Sequence, residues 1–93
     1  MEKEMERPVT VGTVVYSRAG RDEGNYFMVS EIIDDGFVAI VDGDIRKLNA
    51  PKKKKIKHLL VTSDVLEDVA EKMRIGDKVC DAEVYKALRK YNS

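Results

Sequence analysis

The sequence predicts a mainly β domain with some α: a small barrel of about five short strands followed by two short C-terminal helices. Three observations carry this expectation. Glycine and aspartate punctuate the first half at short intervals, at Gly12, Gly20, Gly24, Asp34-Asp35-Gly36 and Asp42-Gly43-Asp44, with β-favouring runs between them. Those runs leave no room for helices between strands, which favours a small barrel. Beyond Val61 the apolar residues change to a helical period.

The predicted strands are residues 14–17, 26–33, 37–41, 45–48 and 57–61, and the two Asp-Gly turns are the strongest hairpin signals. In the second strand apolar residues fall on both faces until Ser30 and Glu31 interrupt, which predicts a bulge near that point. Val65, Leu66, Val69, Ala70 and Met73 then form one helical stripe. Asp64 and Glu67 have the spacing of a capping box, and Gly76 is placed to end the helix. A second helix is expected after Asp81, with Val84, Tyr85, Leu88 and Tyr91 on one face and Lys86, Arg89 and Lys90 toward its end. The layout is a charged N-terminal extension over residues 1–10, a barrel over 11–61 and a helical extension over 62–93.

Ninety-three residues bury one modest core and leave no room for a two-lobed enzyme with a cleft between domains. The lone Cys80 excludes an internal disulfide, the charged start excludes a secretory signal, and the longest apolar run, residues 37–41, is far below the roughly 20 residues that cross a bilayer. A cytoplasmic protein with no membrane partner is the expectation.

The net charge is zero, so position along the chain matters more than the total. Arg46, Lys47, Lys52, Lys53, Lys54, Lys55 and Lys57 follow one another with no acid among them, whereas residues 61–93 carry seven acids against six bases. The four consecutive lysines follow Ala50-Pro51 and are expected in a loop, because proline cannot continue a strand ladder. Adjacent lysines repel one another, and a polyanion relieves that repulsion. Each cation that neutralises a phosphate releases condensed counterions, which drives nucleic-acid binding. The plainer account of the run is a solvated loop. Earlier in the chain, Gly20 and Gly24 shape an exposed turn that lets backbone approach a phosphate, and Arg18 and Arg21 present forked donors there.

Tyr16 and Tyr26 flank this turn and are candidates for stacking on unpaired bases, although packing is the better account of Tyr26. His58 has no second ligand at metal spacing, and Cys80, without a base or second thiol, is expected as a small buried residue where the helices meet. Asp34, Asp35, Asp42 and Asp44 flank turns, which aspartate favours for its own hydrogen bonds. No nucleophile, base and orienting group assemble into a catalytic site, and no metal, cofactor or small-molecule substrate is expected.

Gly12-Thr13-Val14-Val15, Ala19-Gly20-Arg21-Asp22-Glu23-Gly24, Ile32-Ile33-Asp34-Asp35, Phe37-Val38, Asp42-Gly43-Asp44, Lys53-Lys54-Lys55 and His58-Leu59 together resemble a KOW motif. The resemblance covers about residues 11–60. The residues resemble in particular the KOW proteins related to family fourteen (e type) of the archaeal and eukaryotic large ribosomal subunit, in their short bacterial form. Gly24 occupies the glycine that defines the motif, and Glu23 stands where many KOW sequences carry a lysine. The resemblance implies an SH3-like barrel that binds ribosomal RNA through the turn between its first two strands, in the setting of the ribosome and translation, with ribosomal proteins as further partners.

The expected function is therefore a non-catalytic RNA-binding module for ribosomal or other structured RNA. Its candidate contacts are Arg18, Gly20, Arg21 and Gly24 in the turn, with Arg46, Lys47, Lys52, Lys53, Lys54, Lys55 and Lys57 in the basic segment. The alternative is a protein-binding adaptor barrel that uses the helical tail as its contact surface. The RNA expectation requires the two basic regions to converge on one patch.

Overall fold

A computed structural model describes residues 8–92; residues 1–7 of the expected N-terminal extension lie outside that range. Five strands, β1 (Thr13–Ser17), β2 (Tyr26–Ile32), β3 (Phe37–Val41), β4 (Lys52–Lys55) and β5 (Leu59–Val65), precede two helices, α1 (Glu67–Arg74) and α2 (Asp81–Asn92). A 3₁₀ turn, Ile56–His58, joins β4 to β5. All neighbours are antiparallel, in one open sheet of order β4-β3-β2-β1-β5. The first three strands and both helices lie where the sequence places them, to within a few residues.

Both faces of the sheet are buried, which explains why β2 does not alternate cleanly. Val14, Met28 and Val41 pack on one face against Val69 of α1 and Val84 and Leu88 of α2. Val15, Phe27, Val29, Val38, Ile40 and Leu59 pack on the other, with Val9, Ile56 and Val61 closing over them. Truncating a fully buried residue such as Phe27 to alanine removes about 3–5 kcal/mol of stability at such a site. The register between β2 and β3 shifts between Val29 and Glu31, the expected bulge, and beyond it Ile32 is 43% exposed.

The aspartates at the turns have structural work. Asp34 Oδ1 accepts hydrogen bonds from the backbone of Gly36 and Phe37, and Asp42 Oδ1 from that of Asp44 and Arg46. The second turn overturns the strand expected over residues 45–48: with Asp42 binding the backbone of Arg46, the chain bends there instead of extending. Residues 57–61 are likewise not one strand, because the 3₁₀ turn takes residues 56–58 and β5 continues to Val65.

Helix α1 therefore starts later than the stripe predicts. Asp64 is in β5, the N-cap residue is Leu66 with no side-chain cap bond, and the Asp64 carboxylate instead accepts a 2.8 Å hydrogen bond from the Tyr91 hydroxyl. Gly76 ends α1 as expected: at φ +78° it directs its own N–H to Met73 O and that of Asp77 to Lys72 O, the pattern of a Schellman cap. Glu83 in the first turn of α2 reaches back to the Cys80 N–H, and its other oxygen binds Lys72 of α1 at 2.6 Å. The Lys72 hydrogen bond comes first among the causes that hold the Glu83 carboxyl below its ordinary range, and the same bond raises the Lys72 ammonium. Cys80 is exposed beside this contact and not buried between the helices, because its side chain sits at the α2 start, outside the stripe formed by Val84 and Leu88.

Candidate nucleic-acid interface

Residues 18–25 form a turn between β1 and β2 that closes on itself, with Gly24 N–H bonding Ser17 O and Ser17 N–H bonding Asn25 O. Gly20 and Gly24 have φ of +82° and +95°, values that side chains rarely adopt. No atom lies within 4 Å of where a Gly24 Cβ would project, so that position opens to solvent and only a partner would meet it. Arg18 and Arg21 are both exposed.

The lysine run is not a loop; it is β4, the edge strand beside β3. Two causes override the expectation. Pro51 stands just before the strand, where its missing N–H breaks no ladder bond. An extended chain also sends successive ammonium groups to opposite faces, which separates charges that a compact loop would crowd. Lys52 pairs with Ile40 and Lys54 with Val38, and directly opposite residues share a face. Lys52 and Lys54 therefore lie on the face of Val38 and Ile40. Lys53 and Lys55 lie on the other, where the Lys53 ammonium sits 4.7 Å from the centre of the Phe37 ring.

Lys54 is only 8% exposed, and its ammonium donates a 2.9 Å hydrogen bond to the carbonyl of Ala19 in the glycine turn. Its stem lies along the apolar face while its charged end finds a polar partner. A Cβ at Gly20 would stand 3.0 Å from that ammonium, so glycine at this position also makes room for the docked lysine. The turn is fixed a second time where Arg18 N–H bonds His58 O at 2.9 Å. A third tie is ionic: Asp22, 2% exposed, receives Arg46 Nε at 3.2 Å and Nη2 at 3.3 Å on its two carboxylate oxygens.

The two basic regions thus touch, through Lys54 on Ala19 and Arg46 on Asp22, while Lys53 and Lys55 lie on the opposite face of the sheet from Lys54. They are not equivalent, however. Arg46 and Lys54 spend their charged ends holding the turn in place. Arg18, Arg21, Lys52, Lys53, Lys55 and Lys57 remain exposed. Lys47, also exposed, lies between two anchors, Arg46 bound to the turn and Leu48, whose N–H bonds Asp81 of α2 at 2.7 Å. Lysines on an edge strand also obstruct pairing with another sheet, which accounts for exposed lysines in β4 without any ligand. That account does not explain why the arginine-bearing turn is docked on the same strand.

Tyr16 and Tyr26 turn their rings toward one another at 5.0 Å, and Tyr26 also meets Tyr91 of α2 at 5.5 Å. Asn92 bonds both the N–H and the carbonyl of Tyr26. Tyr26 thus packs under the helices. The residues that sequence reasoning missed are Asp22 and the carbonyls of Ala19 and His58, whose partners are distant in sequence and leave no local pattern. No helix among the described residues is long and apolar enough to cross a membrane. No protein-family model matches the chain.

Proposed function

We propose that this protein is a non-catalytic RNA-binding module whose contact surface is the glycine turn together with the exposed lysines of β4 and the 3₁₀ turn. The observation that supports this reading is the docking of residues 18–25 onto β4 through the Lys54–Ala19 hydrogen bond, which ties the arginine-bearing turn to the lysine strand. Arg18, Arg21, Lys52, Lys53, Lys55 and Lys57 are the direct phosphate contacts in this reading, and Gly24 lets backbone approach closely. Arg46 and Lys54 position the turn.

The SH3-like, KOW-type reading of the fold belongs to the same proposal. Support comes from the five-strand order with β5 returning beside β1, the 3₁₀ turn just before β5, and the apolar face that carries Phe27 and Ile40 and is covered by Val9, Ile56 and Val61. Ribosomal RNA, in a cytoplasmic and translational setting, is the partner class that the KOW resemblance favours. The adaptor alternative draws on Tyr85 and Ile45, 47% and 62% exposed, which line one shallow pocket beside α2.

Salt dependence separates the two. With five to seven phosphate contacts at 0.7–0.9 each, log affinity for a structured ribosomal RNA fragment falls with log salt at a slope of about −4 to −6. Replacing Lys52, Lys55 and Lys57 together with glutamine makes the slope shallower by about 2–3, while Lys54 is left alone because it is structural. A slope near zero, or one that the triple variant does not change, refutes the proposal in favour of a docking protein.

A further inference from the structure

An open groove of about 1060 Å³ begins beside the glycine turn and is not used by the reading above. Two backbone hydrogen bonds order its length: Arg18 N–H to His58 O at one end, and Ile56 N–H to Gly36 O toward the other. Its apolar lining includes Ile32, Phe37, Ile56 and Leu60, of which Ile32 is 43% and Leu60 52% exposed. Arg18, Lys55 and Lys57 border it, and Asp34 and Asp35 stand at the hairpin end.

We propose that this groove binds an unpaired segment of RNA, its bases over the apolar lining and its phosphates on Arg18, Lys57 and Lys55. The inference rests on the RNA-binding reading and specifies which form of RNA the protein selects. An apolar floor beside a cationic border matches a single strand, which presents base faces and phosphates at once. A duplex hides its base faces, so the floor gains nothing from it. Arg18 belongs both to the turn and to the groove lining, so a strand held by the turn is already at the groove entrance.

The test is fluorescence anisotropy at fixed salt with an unstructured twelve-nucleotide RNA and with a duplex of the same sequence. Two variants are compared with the unaltered protein, one carrying Ile32→Ser and Leu60→Ser and the other Lys55→Gln and Lys57→Gln, and circular dichroism checks that each is folded. The unaltered protein is expected to bind the single strand at least tenfold more tightly than the duplex. The serine variant is expected to lose about tenfold of single-strand affinity with its salt slope and duplex affinity unchanged. The glutamine variant is expected to flatten the salt slope for both. Equal affinity for the two RNAs, or full single-strand affinity in the serine variant, overturns the groove while leaving the basic surface standing. Binding of an acidic leucine-rich peptide with no binding of either RNA overturns both readings.

Discussion

Between Arg46 and Lys57 the chain carries two kinds of cation that the sequence writes identically. Arg46 and Lys54 are drawn inward, one against the buried carboxylate of Asp22 and the other onto the Ala19 carbonyl. Lys52, Lys55 and Lys57 stand in solvent within three residues of Lys54. A charge taken out of water must be matched by a partner, so the first pair has become part of the architecture. The second group is free to be neutralised from outside. A count of basic residues overstates the charge left in solvent and misses what holds the turn in shape.

The sharpest way to break this contrast is Arg46→Met, which leaves Asp22 buried without its partner. Breaking a buried pair from one side costs about 3 kcal/mol or more, and for a domain of this size that lowers Tm by roughly 15 °C. Thermal unfolding followed by circular dichroism checks it; a Tm within a few degrees of the unaltered protein would place Arg46 back among the free cations. Lys54→Met is the next largest. It keeps the apolar stem and deletes the hydrogen bond to Ala19, for an expected loss of about 1–2 kcal/mol. RNA affinity should fall further than the loss of one phosphate contact accounts for, because the turn loses its support.

The same contrast explains what was legible in the sequence. Local chemistry was readable: the Asp-Gly turns, the bulge where Ser30 interrupts an apolar run, the glycine that ends α1 and the helical stripes. Features decided by a distant partner were not. Four lysines after a proline read locally as a loop, since proline cannot continue a strand ladder, and only the open edge of β3 makes them a strand. Ile45 reads as strand until Asp42 bends the chain through the backbone of Arg46. Asp64 has the spacing of a cap, yet its carboxylate is taken by Tyr91, twenty-seven residues away. In the candidate site, the glycine turn and the exposed cations were visible, whereas the ion pair to Asp22 spans twenty-four residues and has no periodic signature.

The helical layer offers a control at a contact between α2 and β5. Burial first, and then the hydrogen bond to Asp64, pushes the Tyr91 hydroxyl from 10.0 up to about 12. The folded protein therefore favours the neutral phenol. Stability from this group is full below about pH 10, where the unfolded phenol is also neutral, and is lost as pH rises toward about 12. Denaturant midpoints measured across that window should fall more steeply in the unaltered protein than in Tyr91→Phe, with RNA affinity at neutral pH equal in the two. Equal alkaline slopes would show that Tyr91 titrates as it does in the unfolded chain.

The smallest expected change in stability is also the most informative about function. Lys55→Gln removes an exposed charge at a position where the strand ladder does not depend on the side chain, so the stability change stays within about 0.5 kcal/mol. One fewer phosphate contact nevertheless makes the salt slope of RNA binding shallower by about 0.7–0.9. Lys54→Gln inverts that pattern, because the shorter neutral side chain loses the reach to Ala19: stability falls clearly, and the slope per bound phosphate stays as it was. Two neighbouring lysines of one strand are thus expected to answer to different measurements, one to heat and the other to salt. If both variants moved the salt slope equally and neither moved Tm, the Lys54 ammonium would be a ligand contact like its neighbour, and the turn would have to be held by Asp22–Arg46 and the Arg18–His58 backbone bond.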